Sequence, residues 1–136
     1  MLKIIKLFCV ATVAFLSGSL THGKIQKPLS DQEKKILRAG KASWYSEHSP
    51  GINFRTANNE VFDDSAFTCA MWGVPFNQKI KVTNKANGKF IIVRVNDRGP
   101  HKRYVRKGRV VDLTQQAFSN LATLKEGLID VELEFL

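Results

Sequence analysis

The stretch VRVNDRGP, residues 93–100, ends an apolar, β-branched run with a polar turn. The run FIIV before it, residues 90–93, predicts a strand with a buried interior, which the glycine and proline then stop. Asp97 at this strand end has two interpretations. It is either a turn residue whose carboxylate accepts backbone N–H groups, or a carboxylate placed for chemistry, because partial burial beside apolar walls favours the protonated form that a general acid needs. Residue type alone leaves both open.

Short strand-like runs separated by turn residues continue on both sides of this stretch. The pattern predicts strands over residues 41–46, 68–72, 79–83, 89–95, 109–113 and 128–136. Asn87-Gly88 predicts a tight hairpin between the third and fourth strands, and a helix over residues 115–121 is expected to be capped by Asp112 or Thr114. Six short strands with one or two short helices predict an all-β fold, a small closed barrel without an exposed edge.

The beginning of the chain has the pattern of an export signal. Residues 1–23 contain two lysines, the apolar run 7–16 and then small and polar residues. The apolar run is too short for a membrane span, which needs about 20 residues, and Cys9 lies inside it, so no lipid anchor is expected. Residues 24–39 are predicted to be a polar linker with a short helix, and residues 40–136 the folded domain.

Positive charge is concentrated in one part of the chain. The formal net charge is +9, and many of the cations fall in one short segment: Arg94, Arg98, Lys102, Arg103, Arg106, Lys107 and Arg109. Such a patch indicates an anionic partner, which for an exported protein is a cell-wall polymer, a membrane surface or extracellular nucleic acid. A solvated loop is the alternative.

Few residue patterns in the chain point to chemistry. The sequence holds no Cys/His/Asp cluster with metal-ligand spacing, no P-loop and no dinucleotide fingerprint, so neither a metal nor another cofactor is predicted. Cys69, among apolar neighbours, is expected to be a buried free thiol. The remaining candidates are the carboxylates near turns, Glu60 and Asp97.

The order of several motifs resembles the rare lipoprotein A family. The motifs are GKASWY (40–45), TANNEVFD (56–63), VTN (82–84), VRVNDRGP (93–100) and GRVVDLT (108–114). The resemblance covers residues 40–136 and implies a six-stranded double-psi β-barrel, a fold shared with expansins and barwin.

The resemblance also implies a function, that of a periplasmic endolytic peptidoglycan transglycosylase in cell-wall remodelling and daughter-cell separation. Its substrate would be the glycan strands, notably strands stripped of stem peptides, and its product 1,6-anhydromuramyl ends. Carried over by motif, Asp97 is the general acid/base and Glu60 the second cleft carboxylate, with Asp112 left open as a supporting acid. Trp44 and Tyr45 are expected to stack on sugar faces or to pack in the core. The remaining substrate-binding candidates are Asn58, Asn96 and Arg98.

The chain departs from the family pattern at two positions. Asn59 stands where the family usually has glycine, and asparagine is the next-best residue for a positive φ. Met71 stands where the family commonly has histidine, which favours an alternative function, a non-catalytic expansin-like module that binds peptidoglycan. The family's glycan-binding repeat domain and its lipid anchor are also missing from the sequence. An exported protein without a stable membrane anchor is therefore expected. We also expect a monomer, and nucleic acid is not an expected partner.

Overall fold

Six strands and three short helical segments make up the computed structural model, which describes residues 36–136. In chain order they are β1 (Ile36–Tyr45), β2 (Thr68–Ala70), β3 (Lys79–Asn84), β4 (Phe90–Asp97), α1 (Lys102–Val105), β5 (Arg109–Thr114), α2 (Gln115–Ser119), a 3-10 turn (Leu124–Glu126) and β6 (Leu128–Phe135). The strands close into a barrel in the order β1-β5-β2-β4-β3-β6. This arrangement confirms the predicted all-β barrel.

Two of the strand pairs are parallel, β1 with β5 and β2 with β4. The other pairs are antiparallel. A tight turn reverses the chain, so a parallel pair needs a long connection between its strands. In this barrel β2 pairs with β4 on one side and β5 on the other, so residues that are distant in sequence become neighbours there.

Alternating residues of β3 and β6 fill the barrel interior, as their period-two pattern predicts. Ile80 and Val82 of β3 and Val131 and Leu133 of β6 are fully buried, and Val82 pairs directly with Leu133. The main core also contains side chains from the other strands and from the segment after β5: Ala42, Cys69, Met71, Val93, Val95, Val111, Leu113, Phe118 and Leu121. The interior is therefore packed with apolar side chains, and the side chains that can take part in a reaction lie at the rim.

The barrel begins earlier than predicted. Strand β1 starts at Ile36, so residues 36–39, assigned to the linker 24–39, belong to the barrel, where Ile36 is paired with Glu134 of β6. The predicted signal 1–23 and the rest of that linker lie outside the described residues. The predicted boundary at Gly40 thus falls within a strand.

The connection between β3 and β4 forms at Asn87-Gly88, as predicted, but it is longer than a tight hairpin turn. It spans residues 85–89, and of the two turn residues Gly88 alone has a positive φ, 73°. Asn87 acts through its side chain, whose Oδ1 accepts from the Lys89 N–H at 2.9 Å and whose amide donates to Leu121 O at 2.9 Å. The asparagine therefore ties the turn to the segment after α2.

The segment after β5 forms a short helix with the cap that the sequence suggested. The Thr114 hydroxyl accepts from the Ala117 N–H, so Thr114 and not Asp112 is the N-cap of α2. The helix ends at Ser119, two residues before the predicted end. A further helix, α1, lies inside the basic segment and was not predicted from the sequence.

Cys69 and the helices were the subject of two further predictions. Cys69 is fully buried as a free thiol, which confirms the prediction, and burial raises its pKa well above the usual value. Within residues 36–136 no helix has the length and hydrophobicity needed to cross a membrane.

Gly40 allows β1 and β5 to approach each other, and replacing it tests how tightly the barrel is closed. A Cβ at Gly40 would lie 2.5 Å from Val110 Cγ1 and 2.8 Å from Gly108 O. We expect Gly40→Ala to lower the free energy of unfolding by about 3 kcal/mol, because the backbone oxygen cannot move aside. Urea denaturation followed by circular dichroism measures this.

Gly88→Ala is the matched control, since a Cβ at Gly88 meets nothing within 4 Å and only the positive φ of 73° is strained. It is expected to cost about 1 kcal/mol. An equal loss in the two variants would contradict close packing of β1 on β5.

Candidate functional site

A cleft of about 650 Å³ opens at the barrel rim, where β1, β2, β4 and β5 meet. Its walls come from four parts of the chain, which are the end of β1, the loop 49–52, the end of β2, and the segment from the end of β4 through α1 into β5. The polar and aromatic side chains that border it are Ser43, Trp44, Tyr45, Ser49, Trp72, Asp97, Arg98, His101, Arg103, Tyr104, Arg109 and Asp112. Two of these are carboxylates.

The two carboxylates come from the strands on either side of β2. Ala70 of β2 is the Cα partner of Asp97 in β4 and also of Asp112 in β5. Adjacent strands lie about 4.8 Å apart, so the Asp97 and Asp112 Cα atoms are separated by about 10 Å. Both side chains border the same cleft. A ligand bound there would therefore lie between two acids.

Asp97 has one occupied and one free carboxylate oxygen. Its Oδ1 accepts from the Ala57 N–H at 2.9 Å and from the Arg98 N–H at 2.8 Å. Within residues 36–136 no donor binds Oδ2. The two interpretations drawn from the sequence are thus compatible, because one oxygen orders the turn while the other remains available in the cleft.

Asp112 is the more buried of the two acids, with 14% of its side chain exposed. Burial raises its pKa, the ion pair with Arg109 Nε at 2.5 Å acts in the opposite direction, and the charge of Asp97 raises it further. The net direction is upward, so Asp112 keeps a proton to a higher pH than an ordinary aspartate. Perturbed carboxylates in clefts are typical of catalytic sites.

Glu60 lies outside the cleft, in a network with strand β4. Arg94 binds both of its carboxylate oxygens, at 2.6 and 2.9 Å, and Asn96 and Asn58 donate to it at 3.0 and 2.8 Å. These hydrogen bonds, that of Arg94 first, lower the pKa of Glu60 to about 2. Sequence comparison suggested Glu60 as the second cleft carboxylate, but Asp112 is the acid that lines the cleft with Asp97.

Asn58 and Asn96, expected to bind substrate, both belong to this Glu60 network. Asn96 is buried and its backbone oxygen accepts from the Asn58 N–H at 3.2 Å, which joins the loop to β4. Asn59, which follows Asn58, has a φ of 71°. A positive φ suits the glycine that the family usually has at this position. The loop conformation is therefore maintained without glycine.

Arg98 and Met71 stabilise the loop that follows β2. The Arg98 guanidinium donates to Met71 O at 3.0 Å and to Val74 O at 2.9 Å, and it stacks on Phe76 at 3.8 Å from the ring centroid. The Met71 side chain is fully buried in the main core. In this chain the position that the family commonly gives to histidine therefore does not face the cleft.

The aromatic residues of the cleft differ in exposure. Trp44 packs against the main core and donates its indole N–H to Leu124 O at 3.2 Å, and Tyr45 stacks on Phe62 with centroids 4.9 Å apart. Trp72, which sequence reasoning missed, is 44% exposed, and its indole N–H is held by Pro100 O at 2.7 Å. Its place at the end of the predicted strand 68–72, before the glycine at position 73, was the available signal. Trp72 thus presents a fixed aromatic surface to the cleft.

No group of three or more histidine, cysteine or acidic residues that could hold a metal ion occurs within residues 36–136. The cleft offers two acids, the Arg109 guanidinium and an aromatic surface. This set of groups suits acid–base chemistry on an uncharged or anionic polymer.

A closed six-stranded barrel with two parallel strand pairs is the architecture of a double-psi β-barrel domain, and two acids border the cleft at its rim. Residues 37–133 match the family model described as lytic transglycolase, and the chain belongs to this family. The match confirms the resemblance drawn from the motifs.

Relatives in several bacteria carry one name. The chain is 40% identical over 115 residues to the endolytic peptidoglycan transglycosylase RlpA of Rickettsia typhi, covering 84% of this chain and 34% of that protein. It is 37% identical over 103 residues to the protein of the same name from Vibrio cholerae, covering 76% of this chain and 37% of that one. The chain thus spans about a third of the length of these relatives.

Solved structures support the fold. The Streptomyces papain inhibitor is 24% identical with a TM-score of 0.56, over 74% of this chain and 96% of that one. An expansin of Clavibacter michiganensis is 19% identical with a TM-score of 0.54, over 72% of this chain and 49% of that one. At these identities the likeness concerns the barrel alone.

The Glu60 network should make stability depend on pH. A carboxylate whose folded-state pKa is lowered stabilises the fold above its unfolded pKa, about 4.3, and loses this contribution as the pH falls through the folded value. We expect Glu60→Gln to lower the thermal midpoint at pH 7, with the difference from wild type closing as the pH approaches about 2. Thermal denaturation between pH 7 and pH 2 measures it.

Glu47→Gln, at an exposed position outside this network, serves as the control and should follow the wild-type curve. A Glu60→Gln deficit that is constant across the pH range would contradict an ionised structural role.

The Tyr45 hydroxyl should be dispensable for stability. It is buried and has no hydrogen-bond partner within the described residues, and burial first, then the charge of Asp97, raises the pKa of Tyr45 far above its usual value. A buried hydroxyl without a partner costs about 1–3 kcal/mol. We therefore expect Tyr45→Phe to leave the thermal midpoint unchanged or to raise it.

Thr114→Val is the matched control, because the Thr114 hydroxyl donates to Ala66 O and caps α2. This variant should lose about 1–2 kcal/mol. A loss of the same size in Tyr45→Phe would mean that the Tyr45 hydroxyl has a structural partner.

Proposed function

We propose that this domain is an endolytic peptidoglycan transglycosylase, which cleaves the bond between N-acetylmuramate and N-acetylglucosamine and leaves 1,6-anhydromuramyl ends. The observation that carries the proposal is the free Oδ2 of Asp97 in a cleft that it shares with Asp112. Membership of the lytic transglycolase family and the names of the relatives support it.

The reaction needs one carboxyl group that acts twice. Protonated Asp97 donates its proton to the glycosidic oxygen as the bond from that oxygen to the muramyl C1 breaks. The resulting carboxylate then takes the proton of the muramyl C6 hydroxyl, whose oxygen bonds to C1 and closes the anhydro ring. Asp97 is protonated again at the end, and no water is consumed. Ordinary glycosidases, by contrast, divide the work between two carboxylates.

Asp112 and Glu60 support Asp97 in different ways. Two carboxylates that face one cleft do not both ionise readily, and the upward effect of Asp97 on the pKa of Asp112 expresses this coupling. Asp112 thereby helps to keep one proton in the cleft. Glu60 acts as a positioning residue, since it fixes Asn96 next to Asp97 and orders the loop whose Ala57 N–H binds Oδ1.

Trp72 provides the surface on which a sugar can bind. The apolar face of a pyranose ring stacks on an aromatic ring, and a tryptophan held by a hydrogen bond loses little freedom on binding. Trp72 is held by Pro100 O, next to the turn that carries Asp97. A ring on Trp72 would direct the glycan strand across the two acids. Trp44 and Tyr45 have packed ring faces and would contact sugar only at their edges.

The proposed substrate lies outside the cytoplasm, which agrees with the export signal predicted for residues 1–23. We propose a periplasmic location, a monomer and no lipid anchor. The alternative function, a peptidoglycan-binding module without catalysis, depended on Met71. That side chain is buried in the core, so Met71 itself adds no polar group to the cleft, and the assay below decides between the two functions.

Asp97→Asn tests the proposal directly. An asparagine oxygen can still accept from the Ala57 and Arg98 N–H groups, so the thermal midpoint should shift little. Because an amide cannot donate and take back a proton as a carboxyl group does, cleavage of peptide-free glycan should fall at least about 1000-fold. Anhydromuramyl ends, counted by mass spectrometry, are the readout. Asp112→Asn should retain part of the activity, because Asp97 keeps its proton-transfer role.

Asp63→Asn, an exposed carboxylate that does not line the cleft, is the control and should cleave like wild type. Wild-type activity in Asp97→Asn would overturn the assignment of Asp97. A wild-type domain that binds glycan without forming anhydro ends would favour the module without catalysis.

A further inference from the structure

A second cavity adjoins the cleft on the side of α1. Its volume is about 290 Å³, and it shares Ser43, Tyr104 and Arg109 with the cleft. Lys41, Lys107 and Leu128 border it further out. The two cavities meet at these shared residues and are together called the groove, and one polymer strand can contact both.

The chain segment 98–111, part of which borders both cavities, is strongly cationic. Residues 98–111 include six lysines and arginines and no acidic residue. Arg109 is paired with Asp112, whereas Lys102, Arg106 and Lys107 are exposed and have no acidic partner within residues 36–136. Unbalanced positive charge beside a groove attracts anionic ligands.

Tyr104 orders two of the cations. The guanidinium of Arg103 lies 4.6 Å from the centre of the Tyr104 ring and that of Arg109 lies 4.9 Å from it. Arg103 also donates to the Tyr104 hydroxyl at 2.8 Å. This single hydrogen bond leaves most of the guanidinium donors of Arg103 unused. An ordered guanidinium with free donors fits a carboxylate, which it can bind through two parallel hydrogen bonds.

We propose that Arg103, Tyr104 and Lys107, called here the cationic rim, bind carboxylate groups of the polymer next to the bond in the cleft. The identity of the polymer rests on the function proposed above. Peptidoglycan offers carboxylates of two origins, the lactyl group of a muramyl residue without a stem peptide and the acidic groups of a stem peptide. Either would hold the strand on the α1 side of Asp112.

The double variant Arg103→Gln/Lys107→Gln tests the cationic rim. Its matched control is Lys89→Gln/Lys125→Gln, which removes the same charge at two exposed positions that do not line either cavity of this groove. Binding is measured at low salt to three polymers: peptide-free glycan, the same glycan with its lactyl carboxylates amidated, and glycan with intact stem peptides. Cleavage of each polymer is followed in parallel.

We expect the rim variant to bind at least one carboxylate-bearing polymer roughly five- to tenfold more weakly than the control variant does, with KM raised and kcat little changed. High salt should remove the difference. Weaker wild-type binding after amidation identifies the lactyl group as the ligand, and tighter binding to stem-bearing glycan identifies the peptide. Equal binding by the rim and control variants to all three polymers would overturn the proposal. Binding is read without turnover, so an inactive wild type would refute the proposed reaction and leave this inference to be decided by affinity.

Discussion

The four hydrogen bonds received by the Glu60 carboxylate are the constraint on which the cleft depends. Three of them, from Arg94 and Asn96, join an irregular loop to strand β4, and the same loop supplies the Ala57 N–H that binds Asp97. Charge-assisted bonds of this kind are stronger than neutral ones, so a loop without regular structure keeps one position. An acidic residue outside the cleft thereby determines where another acidic residue inside it points.

The strands were predictable because each carries its own pattern. Alternation identified β3 and β6, and the Asn-Asp-Arg-Gly-Pro turn marked the end of β4. Residues 36–39 lack such a pattern, and they extend β1 only because β6, at the other end of the chain, pairs with them. The first helix was missed since it has only four residues, none of them buried, and so carries no apolar period that the sequence could show.

The site was predictable in part. Asp97 is at the cleft as the motif implied, but which acid faces it depends on the register of three strands around Ala70. No local pattern contains that register, so the sequence could not show whether Glu60 or Asp112 is the second acid of the cleft. The exposure of Trp72 and the burial of Tyr45 depend on which distant residues pack against each ring, and the local sequence does not contain this information.

The strand order has a consequence for how the domain reaches its native state. Strand β1 has β5 and β6 as its neighbours, and these are the last two strands in the chain. The first strand therefore remains without its partners until almost the whole domain has been synthesised. Folds dominated by such distant pairings form slowly. A chain that stays open until its end has been made is suited to being threaded through a translocation pore before it folds.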